Sequence, residues 1–489
     1  MSDHALRRDI LATLQPGFTG HVVPEWVMQG LADGIESVCV YGENVRDAEQ
    51  LGAIGSALRE ADRPILVAID EEGGDVTRLH YREGSPYPGA AILGRIDDVE
   101  LTASVASQVA RDVLAAGFNL ILGPVADVNS NPLNPVIGTR SFSADPQIAA
   151  RHVAAWVAGA QAAGAVACVK HFPGHGDTSA DSHLGLPTIS VPANELATRE
   201  LVPFRAAIEA GVKAVMTSHI VVRALDATAP ATFSRAIVTD LLRGELGFTG
   251  IVVSDALDMQ GASAGIGIPR AAVRALAAGC DLLCLGTGTT PALVDEIAAE
   301  IEAAIERGGL TLGRVSEAAA RVRATIAELP TGIGEEEVSA GPDVEQVIEA
   351  FDGVDAAGEW IARHREAWIV RADSEANMAV GDAPWGPFTP DSRRGWLSER
   401  PLTSVDAEAS SPWQFDERPP AAIVIGRGIT RPGAAADRLR ELTASGIPTL
   451  VVEMGWPSVF ADAPVLATYG ASRLVGDALI HLLEAEAVI

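Results

Sequence analysis

Seven short apolar runs, each followed by a helical pattern, recur over roughly the first 330 residues. This alternation narrows the fold more than any other feature of the chain. The runs lie at 35–41, 65–70, 118–125, 165–170, 214–219, 251–255 and 281–285 and read as buried strands. Helical patterns occupy 99–116, 147–163, 195–210, 234–246 and 291–307. Several stop at glycine (Gly117, Gly164, Gly211, Gly247), which accepts the left-handed conformation of a helix end at little cost. Seven such units predict an α/β fold, a (β/α)8 barrel of TIM type, with 18–23 as the candidate for the remaining strand. A doubly wound open sheet is the alternative. The strand ends decide between them. Asp70, Asp127, Lys170, His171, His219 and Asp255 all fall at or just past C-terminal ends. An open sheet gathers its ligand groups at one switch point, whereas a barrel brings every strand end to one mouth.

The pattern breaks at PTGIGEEEVSAGP, residues 330–342, where proline, glycine and an acidic run mark a linker. The expected organisation is a barrel over 1–330, a linker over 331–344 and a smaller α/β sandwich domain over 345–489. Strands of the second domain are expected at 367–371, 422–425, 448–453 and 465–469, with a helix at 434–444. Residues 373–420, rich in proline, tryptophan and charge, read as irregular surface.

A net charge of −29, from 65 acidic and 36 basic residues, argues against nucleic acid or an anionic membrane as partner, since both need a positive footprint. Cys39, Cys168, Cys280 and Cys284 lie in or beside apolar runs, as buried thiols do, and predict no disulfide framework. The opening MSDHALRRDILATL lacks the apolar core of a signal peptide, and no run is long enough to span a bilayer. A cytoplasmic protein, monomeric or homodimeric, is the expectation.

Chemistry concentrates in KHFPGHGD, residues 170–177, followed by Asp181-Ser182-His183. Lys170, three histidines and two aspartates share fourteen residues, interrupted by Pro173, Gly174 and Gly176. Asp181 and His183 are two apart, so extended backbone projects them to one side. An aspartate there fixes the imidazole tautomer and stabilises its protonated form, giving an acid/base near neutral pH. An Asx-turn beside an exposed histidine is the plainer reading. Asp255 ends the strand pattern GIVVSD and would be held rigidly for nucleophilic attack; a helix N-cap is its plainer reading. Asp70 opens DEEGGDVTR, whose paired glycines allow a tight turn. Arg140, in GTRSF, has the planar fork for a carboxylate or hydroxyl, or for an ordinary salt bridge.

These motifs resemble those of the glycoside hydrolase family 3 β-N-acetylglucosaminidases of two-domain type. KHFPGHGDTSADSHLGLP (170–187) is similar to the family signature, and DEEGGDVTR (70–78), GTRSF (138–142), MTSHI (216–220) and SDALDM (254–259) follow in the family's order. LATYG (466–470) extends the resemblance more weakly into the second domain. The resemblance implies Asp255 as catalytic nucleophile, His183 as general acid/base and Asp181 as its partner. It places Asp70, Arg78, Arg140, Lys170 and His171 around the N-acetylglucosamine ring. The chain departs from the family at Glu71, Asp75 and Ala256, where members often carry Gln, Arg and Asp; none is a catalytic position, and the aglycone is left open.

What the resemblance implies is an exo-acting, retaining β-N-acetylhexosaminidase without cofactor or metal. Its substrate would be a small carbohydrate, a peptidoglycan fragment in cell-wall recycling or a chito-oligosaccharide. A neutral imidazole in place of a second carboxylate would also let phosphate approach, so a phosphorylase using the same residues is the alternative. More distant is a metal-dependent barrel hydrolase with His171, His219 and Asp255 as ligands.

Overall fold

The computed structural model describes residues 3–179, 185–330, 341–374, 379–390 and 398–488. The chain forms two compact units. The first comprises Met1–Glu72, Val99–Ile137 and Ser143–Ala340, and the second Gly73–Asp98, Gly138–Phe142 and Gly341–Ile489. Of the segment expected to be a linker, 331–340 lies outside the described residues.

The first unit is an eight-stranded parallel barrel. Its strands are β1 (Leu14–Gln15), β2 (Ser37–Val40), β3 (Leu66–Ile69), β4 (Leu120–Ile121), β5 (Val166–Phe172), β6 (Ala214–Thr217), β7 (Ile251–Ser254) and β8 (Leu282–Cys284). Ladder bonds run β1-β8-β7-β6-β5-β4-β3-β2. The remaining gap is bridged where Cys39 N donates to Pro16 O at 2.9 Å and Gln15 Nε2 to Ser37 Oγ at 2.8 Å. Residues two apart, Leu66 and Ala68, Val166 and Cys168, Ala214 and Met216, Ile251 and Val253, share one buried cluster. That period puts them on one face of each strand, the layered filling of a barrel interior. All four cysteines are buried and free.

The expected run 18–23 is not a strand. The strand is the two-residue β1 just before it, hidden behind the helix Asp3–Ala12 and ended by Pro16-Gly17, and Val22 is exposed. The single helix expected at 195–210 is two, Ala193–Thr198 and Leu201–Glu209. Pro203 explains the break, because its ring excludes the carbonyl four residues back, that of Arg199.

The opposite end of the barrel from the C-terminal mouth is tied by one carboxylate. Asp281, fully buried before β8, meets the Arg243 and Arg314 guanidiniums, with Arg321 Nη1 at 3.2 Å and Val252 N donating at 3.0 Å. Asp281→Ala leaves three partly buried cations facing one another without their buried anion; among the described residues only the exposed Glu317, paired with Arg314 and Arg321, remains. We expect it to lower the unfolding free energy by about 3–5 kcal/mol in denaturant titration. A loss under about 1 kcal/mol would show that solvent screens the cluster.

The second unit is a five-stranded parallel sheet: β9 (Trp368–Asp373), β10 (Leu402–Asp406), β11 (Ala422–Gly426), β12 (Thr449–Glu453) and β13 (Val465–Ala467). The order is β10-β9-β11-β12-β13. Alternate residues serve opposite layers. Ile369, Ile423, Ile425, Leu450 and Val452 join one core, and Val370, Ala422, Val424 and Val451 another with Leu439 of the helix Ala434–Ala444. β10 corrects the reading of 373–420 as wholly irregular. It is an edge strand, and LTSVD is too exposed to carry an apolar signal. The helix Ala90–Ile96 also belongs to this unit: Ala91 and Ile92 enter its core, and Arg95 bonds Ala350 O and Asp352. Among the described residues no helix is long and apolar enough to cross a membrane.

Candidate active site

Lys170 lies within β5 and is 3 % exposed. Its ammonium meets Asp70 Oδ1, just past β3, and Glu72 Oε1, each at 2.8 Å. Two carboxylates on one buried cation fix all three side chains. Next in β5, His171 donates through Nδ1 to Asp127 Oδ2 at 2.7 Å. The backbone N–H groups of His171 and His175 reach the other Asp127 oxygen at 3.2 and 2.7 Å. Burial alone would raise the Asp127 carboxyl; His171 and His175 outweigh it and hold the group below the usual carboxylate range. The His171 ring is therefore oriented by an ionised partner, with no hydrogen bond to Nε2 among the described residues.

The first part of the loop after β5, up to Ser179, is closely packed. A Cβ at Gly176 would fall 1.6 Å from Val128 O, so no other residue fits. Asn134 Nδ2 donates to the carbonyls of His175 and Gly176 at 2.9 and 3.0 Å. His175 is buried against the Thr178 hydroxyl, 2.8 Å from Nδ1, and burial lowers its pKa to about 4, so it stays neutral and serves the loop.

Asp255 follows β7, half-buried, its Oδ1 accepting from Ala256 N at 2.8 Å. The next carbonyl, Ala256 O, accepts from His219 Nε2 at 3.0 Å, while His219 Nδ1 meets the Thr232 hydroxyl at 2.9 Å. Both ring nitrogens of His219 are thus engaged, Nε2 in holding the turn that carries Asp255 and Nδ1 on Thr232. This accounts for His219 without the metal role weighed from the sequence. The thiol of Cys168, inside the barrel, feels Lys170, Asp70 and Asp255 through space, and burial with the acids drives its pKa up. These three groups therefore share one end of the barrel.

Asp181 and His183 lie outside the described residues. Arg78 and Arg140 belong to the second unit. There Arg78 is buried, with Nη2 donating to Ala379 O at 2.7 Å, and Arg140 is buried in the turn Gly138–Arg140. In the first unit the structure thus brings Asp70, Lys170 and Asp255 to the barrel mouth and sets His171 beside Lys170 on β5.

Two contributors escape the sequence reading, and a third, Glu72, is legible there only as one carboxylate of the turn that opens at Asp70. Glu72 is the second anion on Lys170, and Asn134 holds the loop. Glu200, at the helix break, is fully buried. Arg199 Nε meets its Oε1 at 2.7 Å, and Arg199 Nη2 reaches Asp177 in the loop at 3.1 Å. Among the described residues Oε2 has no hydrogen-bond partner, and it lies 2.9 Å from where a Gly174 Cβ would be. Burial pushes the Glu200 pKa up to about 7, well above its ordinary 4.5, with Arg199 only partly opposing. Folding thus favours the protonated acid. That stabilisation is complete below about pH 4.5 and is lost as pH rises through 7. Glu200→Gln keeps the neutral form at every pH. We expect it to flatten the fall of Tm between about pH 5 and 8 and to raise Tm most at the alkaline end. An unchanged slope would assign the pH dependence elsewhere.

An eight-stranded parallel barrel with charged groups converging at its strand ends is a frame for sugar hydrolysis, and comparison with known proteins gives the class. The model of the glycosyl hydrolase family 3 N-terminal domain matches residues 11–325. Beta-hexosaminidase A of Pseudoalteromonas piscicida is 34 % identical over 322 residues, 60 % of this chain and 54 % of that one. This chain thus spans about half the length of that relative. The beta-hexosaminidase of Tolumonas auensis is 40 % identical over 254 residues, 51 % of this chain and 75 % of its own. Among solved structures, a glycoside hydrolase family 3 beta-N-acetylglucosaminidase from Paenibacillus sp. str. FPU-7 superposes with a TM-score of 0.83. It is 25 % identical, and 98 % of this chain and 97 % of that chain are covered. The class is that of the glycoside hydrolase families. The chain belongs to glycosyl hydrolase family 3.

Proposed function

We propose that the protein is an exo-acting β-N-acetylglucosaminidase that retains anomeric configuration. Asp255 attacks the anomeric carbon while His183, polarised by Asp181, protonates the leaving oxygen. A covalent glycosyl-enzyme results, and His183 then activates the water that releases the sugar. Asp70, Lys170, His171, Arg78 and Arg140 hold the ring. The observation that carries the reading is Asp255 at the end of β7, on a turn braced by His219, at the mouth that holds the Lys170–Asp70–Glu72 cluster. The roles of His183 and Asp181 rest on their place in the motif at 170–187. The names of the relatives support the N-acetylhexosamine specificity. Terminal N-acetylglucosamine of peptidoglycan fragments or chito-oligosaccharides is the substrate proposed, and cytoplasmic recycling of cell-wall fragments the setting.

The test is turnover of aryl β-N-acetylglucosaminide and aryl β-glucoside, each with and without phosphate, with products identified. We expect the N-acetylated substrate to be preferred by about a hundredfold or more, and free sugar as product in every case. Equal use of both substrates would sink the specificity. A sugar 1-phosphate appearing only with phosphate would make the enzyme a phosphorylase on the same residues.

A further inference from the structure

The sheet of the second unit reverses direction between two neighbouring strands. From β9 the chain passes outward to β10, then crosses back to β11 on the other side of β9, and continues to β12 and β13. The C-terminal ends of β9 and β11 therefore flank a switch point, where open parallel sheets leave a crevice for ligands. Ser374 Oγ donates to Arg427 O at 3.3 Å and ties the two ends together.

Three arginines gather there. Arg371 is on β9, Arg427 directly follows β11, and Arg431 lies in the glycine-rich loop 426–433 that leads to the helix Ala434–Ala444. Arg371 and Arg427 both lie over the Trp385 ring, at 5.3 and 5.0 Å from its centroid. Arg371 has an anion of its own, Asp373 Oδ1, at 2.7 Å. Arg427 makes no hydrogen bond or ion pair through its guanidinium among the described residues; Trp385 is its neighbour. Arg431 has a buried Nε without a hydrogen-bond partner among the described residues, and its Nη2 lies 3.4 Å from where a Gly138 Cβ would be. Burial lowers the pKa of both Arg427 and Arg431, with the nearby acids only partly opposing.

Those acids are already engaged. Glu453, fully buried at the end of β12, accepts from Gly428 N and Gly455 N on one oxygen and from Thr430 N and its hydroxyl on the other, at 2.6–2.8 Å. It fixes the loop and has no ion pair with Arg431 among the described residues. Asp75 is bonded to Ala471 N at 2.7 Å and to the Thr139 hydroxyl at 3.0 Å. In a chain of net charge −29, this is a concentration of guanidinium that, among the described residues, is held without matching carboxylate on Arg427 and Arg431. Such groups are costly to bury unless an anion completes them.

We infer that the second unit carries a binding site for a small oxyanion-bearing molecule at this switch point, with Arg427 and Arg431 as its donors and Trp385 as its wall. A guanidinium fork matches a carboxylate and a phosphate alike, so either group on a sugar-sized molecule meets the site's chemistry. The inference is independent of the reaction proposed for the barrel.

The experiment uses the full-length protein with 15N-labelled indole groups. Of its eight tryptophans, Trp385 is assigned by its loss in Trp385→Phe. N-acetylmuramic acid supplies the carboxylate, N-acetylglucosamine 6-phosphate the phosphate, and N-acetylglucosamine the uncharged control. We expect at least one anionic sugar to shift the Trp385 indole saturably and the neutral sugar to leave it in place. A response to one anion alone identifies which oxyanion the site takes. Arg427→Gln should weaken the response at least tenfold. Should that variant fail to fold, Arg431→Lys keeps the charge without the fork and should weaken it severalfold. The inference is overturned if neither anionic sugar moves Trp385 up to about 10 mM. It is equally overturned if the neutral sugar moves Trp385 as far, or if the folded variants bind as wild type does.

Discussion

Asp255→Ala should abolish turnover of an aryl β-N-acetylglucosaminide by at least about three powers of ten, on the order of 4 kcal/mol of barrier. Without the carboxylate no covalent glycosyl-enzyme forms, and the two-step route is lost rather than slowed. The fold should survive. Asp255 is half-buried and follows β7, while the side chains filling the barrel from that strand are Ile251 and Val253. The Ala256 carbonyl that His219 holds is untouched by the change. The measurement is turnover beside a thermal unfolding curve for the same preparation. A folded variant retaining more than about a tenth of the wild-type rate, a barrier change under about 1.4 kcal/mol, would remove Asp255 from the role.

His183→Ala should discriminate among substrates by their leaving group. An alkyl or sugar aglycone departs only if its oxygen is protonated as the bond breaks, so these substrates should suffer most. A dinitrophenolate leaves unaided, and its first step should be largely spared. Release of the enzyme-bound sugar then limits the rate, because no base activates water. Azide needs no base, and we expect it to restore turnover and to yield a β-glycosyl azide. Asp181→Ala should give a milder version of the same pattern, since its effect passes through the imidazole. Rates are plotted against leaving-group pKa for wild type and both variants, with and without azide. Equal slowing of every substrate and no response to azide would make His183 structural and send the search for the acid to Asp177, Asp181 and Glu72.

Most of the barrel was readable because parallel strands with both faces covered are written as continuous apolar runs. Runs at 65–70, 165–170 and 251–255 contain Leu66–Ile69, most of Val166–Phe172, and Ile251–Ser254. The misses share a physical cause. Leu14–Gln15 is too short for any period to register, and Leu402–Asp406 is exposed at a sheet edge. The break before Leu201 was visible in Pro203 and went unread. Lys170, Asp70 and Asp255 stood out because a charged residue ending an apolar run is unusual. Nothing local distinguishes Glu200 from a solvated helix carboxylate; its burial is set by Gly174, Arg199 and Ser130, brought to it by the fold. The same holds for Arg427 and Arg431, whose lack of carboxylate partners among the described residues is a fact of three dimensions.

The chain passes from one unit to the other at Glu72, Asp98, Ile137, Phe142 and Ala340. Cutting it at any one point therefore frees neither unit. A fragment spanning 341–489 would lack Ala91 and Ile92 from its core and the Arg95 bonds to Ala350 and Asp352. During synthesis the helix Ala90–Ile96 leaves the ribosome long before the strands whose layer it completes. The apolar face of that helix must wait, with the barrel growing behind it, until the last strands have been made. Truncation at the C-terminal end would leave this early segment without the layer in which it packs.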